Sequence, residues 1–141
     1  MKIIALNLFL SLSLFLTNSA KAQLGFAVAT DANGSQLTYG LVFGYNTSSK
    51  AKMQAMVELR LKGYDKVFGA TGAEYGHGLK TGFYVLIKSS FISENGKAMN
   101  CYGLGASAKT FDEAEFRAQR NMFTYSKWDE EAYTVLISKE Y

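Results

Sequence analysis

Few residues in this chain could do acid–base or nucleophilic chemistry. The sole histidine, His77, sits in Tyr75-Gly76-His77-Gly78, and the sole cysteine is Cys101. A histidine–cysteine pair is the smallest nucleophilic dyad, in which imidazole takes the proton and thiolate attacks. It requires hydrogen-bond reach of about 3 Å. No spacing brings the two together, and no Asn or Asp is marked to orient the imidazole. Cys101 lies inside an apolar strand pattern, where its ordinary role is that of a small buried hydrophobe. Asp129-Glu130-Glu131 follows Trp128. A tryptophan beside acids can mark a sugar site, but glycoside hydrolysis needs two acids held across a cleft, and the run also reads as a charged turn ahead of a strand. One His and one Cys cannot complete a zinc site. Asp112, Glu113 and Glu115 could hold a hard cation, yet they also suit a helix start. The glycines from Gly69 to Gly82 lack the G-x-x-x-x-G-K-[ST] spacing of a phosphate loop. The residues therefore assign no catalytic group, no metal and no cofactor. A small secreted hydrolase remains an alternative, not the leading reading.

The elements that must position any site begin after a leader. Lys2 is followed by an apolar run, Ile3 to Leu16, and by Ala20-Lys21-Ala22, an A-x-A cleavage signature. The run is shorter than the roughly 18 to 20 residues that span a bilayer. Residues 1–22 are read as a signal peptide and residues 23–141 as one exported domain, periplasmic or extracellular. Lys2 and Lys21 leave with the leader, so 15 Lys+Arg become 13 against 12 Asp+Glu. That near-neutral balance offers no net footprint for nucleic acid or for an anionic membrane. No membrane insertion is expected after cleavage. One cysteine gives no internal disulfide framework, so packing must hold the fold.

Leu24–Thr30 and Gln36–Phe43 read as a hairpin around Asn33-Gly34, since both residues accept positive φ. Thr47 supplies a hydroxyl cap for a helix over residues 48–62. Ala51, Ala55 and Leu59 form its apolar stripe, widened by Met53, Met56 and Val57. Gly63 stands at the left-handed cap position, and residues 65–71 read as a third strand. Residues 72–81 are a linker. A second set follows: strands over 82–90 and 98–106, a helix opened by the capping box Thr110-Phe111-Asp112-Glu113, and a strand over 132–139. Phe83, Val85 and Ile87 share one face of the fourth strand, and Tyr84, Leu86 and Lys88 the other, which suggests a central strand.

The two sets are alike. Tyr39-Gly40-Leu41, Thr47, Ala51 and Ala55 match Tyr102-Gly103-Leu104, Thr110, Ala114 and Ala118 at an offset of 63. Gly25-Phe26 and Val28 match Gly82-Phe83 and Val85 at 57, which makes the second hairpin six residues longer. The expected fold is α+β: a tandem ββαβ-ββαβ pseudo-duplicate, half-repeats about 23–71 and 82–141, with a mostly antiparallel sheet and two helices packed on it.

The doubled pattern of Tyr-Gly, a Thr cap and A-x-x-x-A resembles a group of small exported bacterial domains of unknown function. Its carriers are Tyr39-Gly40, Thr47, Ala51, Ala55 and Tyr102-Gly103, Thr110, Ala114, Ala118. Members often carry cysteines near the helix ends and in the strands. Here there is only Cys101, so that disulfide pattern is missing. The resemblance implies a secreted α+β domain and transfers no catalytic residue.

The remaining signal is aromatic. Aromatic residues make up 14% of the chain, too many for one small core beside two helix stripes, and Phe116 and Phe123 lie off the main stripe of their helix. Such an excess fits either a covered second sheet face or a protein-binding surface. Tyr75, His77, Tyr84, Phe91, Phe116 and Trp128 are the candidate binding residues. The leading expectation is a non-enzymatic exported binding module recognising a protein or envelope component, with an inhibitor or immunity protein as a special case. A self-assembling subunit joined through an open sheet edge is a further alternative. Neither the partner nor the oligomeric state is legible.

Overall fold

The computed structural model of the chain describes residues 23–70, 81–125 and 132–141. Residues 1–22, expected to be a leader, and residues 71–80, with Tyr75 and His77, lie outside the described residues, as do Trp128 and the acids at 129–131.

Strands β1 (Gln23–Thr30) and β2 (Gln36–Tyr45) are followed by helix α1 (Ser48–Leu61) and strand β3 (Val67–Ala70). Then come β4 (Phe83–Ile92), β5 (Ala98–Ser107), helix α2 (Phe111–Tyr125) and β6 (Thr134–Glu140). This is the expected α+β order. The sheet is divided: β2-β1-β3 form one antiparallel sheet and β5-β4-β6 another. β4 is central, as its two apolar faces require.

Local chemistry sets the ends. Asp31 accepts from the amides of Asn33 (2.8 Å) and Ser35 (3.0 Å), closing the first hairpin around Gly34 at φ +87°. Thr47 accepts from the Lys50 amide at 3.2 Å and Thr110 from the Glu113 amide at 3.1 Å, two equivalent N-caps. The second half of the expected capping box does not form. The Glu113 carboxylate instead accepts from the Ser107 hydroxyl (2.8 Å) and from Arg117 one turn on (2.7 Å). Those donors hold its carboxyl below the usual carboxylate range, the Ser107 hydrogen bond foremost.

Each sheet has one face against its helix. Ala27, Ala29, Val42 and Val67 meet Ala51, Ala55 and Leu59. Val85, Ile87 and Cys101 meet Ala114, Ala118 and Met122. The other faces meet each other: Leu24 and Phe26 of the first sheet pack with Tyr84, Leu86, Tyr102 and Leu104 of the second. The order of layers is α1, sheet, sheet, α2.

The helices lie close to their sheets because the contact residues are small. A Cβ on Gly40 would stand 2.8 Å from the Ala55 carbonyl oxygen, and one on Gly103 would stand 2.4 Å from that of Ala118. These are equivalent positions in the two halves, so the matching Gly and Ala residues record one packing solution used twice. The stripe under α1 is correspondingly narrow. Met53 and Val57, expected to widen it, are exposed.

The ladder corrects the alignment of the first strands. Phe26 pairs with Leu41, and Leu86 pairs with Leu104; Ala27 pairs with Gly40, and Ile87 with Gly103. The offset between β1 and β4 is therefore 60, not 57, and the second hairpin is three residues longer, not six. An offset wrong by an odd number reverses faces: Phe26 points into the layer between the sheets, whereas Phe83 packs on the α2 side.

Edge strand β5 is closed by side chains. The amides of Asn100 and Tyr102 donate to Ser35 Oγ (2.9 Å) and Gln36 Oε1 (2.6 Å) at the start of β2. Leu104 N donates to Asn121 Oδ1 at 3.3 Å, and Arg117 Nη1 donates to the Ala106 carbonyl at 3.0 Å. These alternate residues carry the outward-facing backbone groups of an antiparallel edge. An edge so occupied is a poor template for another strand.

Two consequences are measurable by chemical denaturation. Gly103→Ala forces a Cβ against helix backbone and lowers stability by about 1–3 kcal/mol. Gln36→Ala strips the acceptor from the Tyr102 amide and costs about 1–3 kcal/mol. A Gly103→Ala protein as stable as the parent would show that the helix can retreat from its sheet.

Candidate functional site

The layered core decides which aromatic residues are available. Tyr84 is 6% exposed, which removes it from the candidate surface. It stands on the face of β4 turned to the other sheet, 5.0 Å from the ring of Phe43 and 5.7 Å from that of Tyr141. Tyr102 is buried in the same layer, 5.3 Å from Tyr39. Phe91 is half-buried against the apolar cluster beneath α2, so it too is spent largely on packing. Tyr75, His77 and Trp128 lie outside the described residues. Phe116 is 58% exposed.

The thiol and two of the acids of α2 are engaged within the fold. Cys101 is buried beneath α2 with Ala118 and Met122, where a substrate cannot reach it while the helix is in place. Glu113 is held by Ser107 and Arg117. Glu115 accepts a 2.5 Å hydrogen bond from the Tyr133 hydroxyl. Among the described residues no three metal-ligating side chains cluster, and no helix is long and apolar enough to cross a membrane.

What stands out is the outer face of α2. The helix buries Ala114, Ala118 and Met122, so residues half a turn away face outward. Phe116 and Phe123 are seven residues apart, two turns, and share that face. Phe123 is 64% exposed, and Arg120, exposed, lies between them. Gln119 is the i+3 neighbour of Phe116 and the i−4 neighbour of Phe123. Its amide donates to the Tyr133 hydroxyl at 2.7 Å, which in turn donates to Glu115. The Glu115 hydrogen bond, ahead of burial, raises the Tyr133 phenol above its usual range. Tyr133 is thereby pinned against the helix that carries Phe116 and Phe123. The result is a rigid patch of two phenylalanines, an arginine and a tyrosine. These are residue types that protein interfaces favour.

Phe116 and Phe123 were legible from their place off the apolar stripe. Arg120 follows from the same helical spacing, since it is four residues from Phe116. Tyr133 had no signal, because its contacts to Glu115 and Gln119 are tertiary.

No protein-family model, curated protein or solved structure matches the chain.

The aromatic layer between the sheets has a pH signature. Burial pushes the phenols of Tyr84, Tyr102 and Tyr141 above their usual value of 10.0. The fold therefore favours neutral phenols. Their contribution is fully present below pH 10.0, where the unfolded chain begins to ionise, and is lost as pH rises through the higher folded-state values. Urea midpoints should be flat from neutral pH to about 9 and fall steeply above 10. The Tyr141 hydroxyl is buried and has no hydrogen-bond partner among the described residues. Tyr141→Phe should thus hold or raise stability at neutral pH and flatten the alkaline fall.

Proposed function

We propose that the protein is an exported, non-enzymatic binding module that holds a partner protein on the outer face of α2. The carrying observation is the exposure of Phe116 and Phe123 on a helix whose core stripe is complete without them. Aromatic residues and arginine are the types enriched in protein interfaces, and a few such anchors supply most of the binding free energy. Fixing Tyr133 through Glu115 and Gln119 lowers the ordering cost of the patch on binding. Inhibition of, or immunity to, an envelope or secreted enzyme is one form this function takes. Export rests on the leader, and binding rests on the patch.

A second reading has its own observation. β6 lies at the edge of its sheet, and Val135 and Leu136 on it are both exposed. Self-assembly by strand addition would use that edge. Light scattering of the mature protein separates the two, since a monomer at all concentrations removes self-assembly.

The test of the binding reading is capture with tagged protein spanning Gln23–Tyr141, incubated with envelope and culture-fluid extracts. A stoichiometric protein partner is expected. The Phe116→Ser/Phe123→Ser double variant should bind it more weakly by about 2 kcal/mol or more, with urea stability unchanged because both side chains are exposed. A partner that binds the double variant as well as the parent places the interface elsewhere.

A further inference from the structure

The near-neutral total charge hides an uneven distribution. In α1, Lys50 stands in the first turn and Lys52 just beyond it, no acid is present in that turn, and Arg60 stands in the last turn. At the positions of α2 equivalent to Lys50 and Lys52 stand Glu113 and Glu115. Acids at a helix start are stabilised by the helix dipole and lysines are opposed by it. Lys50 therefore gains nothing from the dipole of its own helix.

The outer face of α1 is also apolar. Met53, Val57 and Leu61 recur every four residues, 63%, 38% and 82% exposed. Helical spacing puts Lys50 and Arg60 on the same face, with Lys62 just beyond its end. Among the described residues these three cations form no ion pair. The one acid of the helix, Glu58, is turned aside, accepting from Gln54 at 3.5 Å. α1 thus presents a ridge of flexible aliphatic side chains edged by positive charge.

We propose that this face docks on an anionic lipid surface, with α1 lying in the plane of the headgroups. Attachment to a bilayer interface grows with the apolar area that is buried and with electrostatic attraction to anionic lipid, and this face offers both. The aliphatic ridge enters the acyl boundary while the cations meet phosphate. An acidic protein would answer the charge equally well, but a single convex ridge without aromatic or hydrogen-bonding anchors offers a protein little to register against. Because α1 and α2 are the two outer layers, a domain seated on lipid through α1 directs Phe116 and Phe123 away from the membrane.

Co-sedimentation with phosphatidylethanolamine vesicles, with and without phosphatidylglycerol, tests this on the mature chain. Binding should require phosphatidylglycerol and weaken with salt. Each surface-facing cation contributes about fivefold in partitioning, so Lys50→Glu/Arg60→Glu should lower it by about 25-fold or more. Met53→Ser/Leu61→Ser should lower the binding that survives high salt. The control Lys97→Glu/Lys139→Glu makes the same net charge change away from α1 and should cost far less. All these residues are exposed, and circular dichroism checks that each variant is folded. No preference for phosphatidylglycerol vesicles overturns the proposal, as does a control that loses as much as the α1 charge variant. A free acidic protein as the true ligand would give the first of these results.

Discussion

A three-stranded sheet with apolar side chains on both faces has to be covered twice, and each half of this chain owns one helix. The second cover is the other half. Everything else in the molecule follows from that shortage. Each helix meets its sheet through alanine and glycine at the closest points, with Leu59 under α1 and Val85, Ile87 and Met122 under α2 filling the layer beside them. The large apolar groups (Phe26, Tyr84, Leu86, Tyr102, Leu104) are concentrated in the layer between the sheets. Since hydrophobic stabilisation scales with apolar area removed from water, this shared layer is a main source of cohesion, and neither half has a full complement of cover without its twin.

Much of the scaffold was legible because it is written locally. Thr47 and Thr110 cap helices where their hydroxyls precede apolar stripes, Asn33-Gly34 turns a hairpin, and the alternation of β4 marks a strand apolar on both sides. What local pattern cannot say is what lies on the far side of a face. Tyr84 alternates as an exposed interface residue would, and only the arrival of the second sheet makes it core. The register error had a similar origin. Gly82-Phe83 resembles Gly25-Phe26 in type but sits in the opposite phase of the pleat, and a ladder obeys phase. Apolar type alone assigns Met53 and Val57 to the α1 stripe, yet each is two residues from its buried neighbours, about 200° around the helix, which puts them on the outer face. Of the candidate site, Phe116 and Phe123 could be read from spacing, whereas the pinning of Tyr133 required the fold.

The duplication is conservative inside and divergent outside. Positions that touch the sheets keep their type: Gly40 with Gly103, Ala51 with Ala114, Ala55 with Ala118. Positions that face away do not: Lys50 stands where Glu113 does, Val57 where Arg120 does, Leu61 where Thr124 does. Close contact penalises almost any change at the first set, while the second set answers only to solvent or to a partner. One scaffold copied twice therefore carries two unlike surfaces on opposite sides.

The closure of β5 also has a direction in time. Two of its acceptors, Ser35 and Gln36, belong to the first hairpin and precede the strand they serve by more than sixty residues. A chain emerges from its N-terminus and folds in that order where it can, so these acceptors exist before the donors of Asn100 and Tyr102 are made. The unpaired strand that would be the most adhesive part of the nascent second half thus meets waiting partners within its own molecule, and intramolecular capture competes with its neighbours from the moment the strand appears.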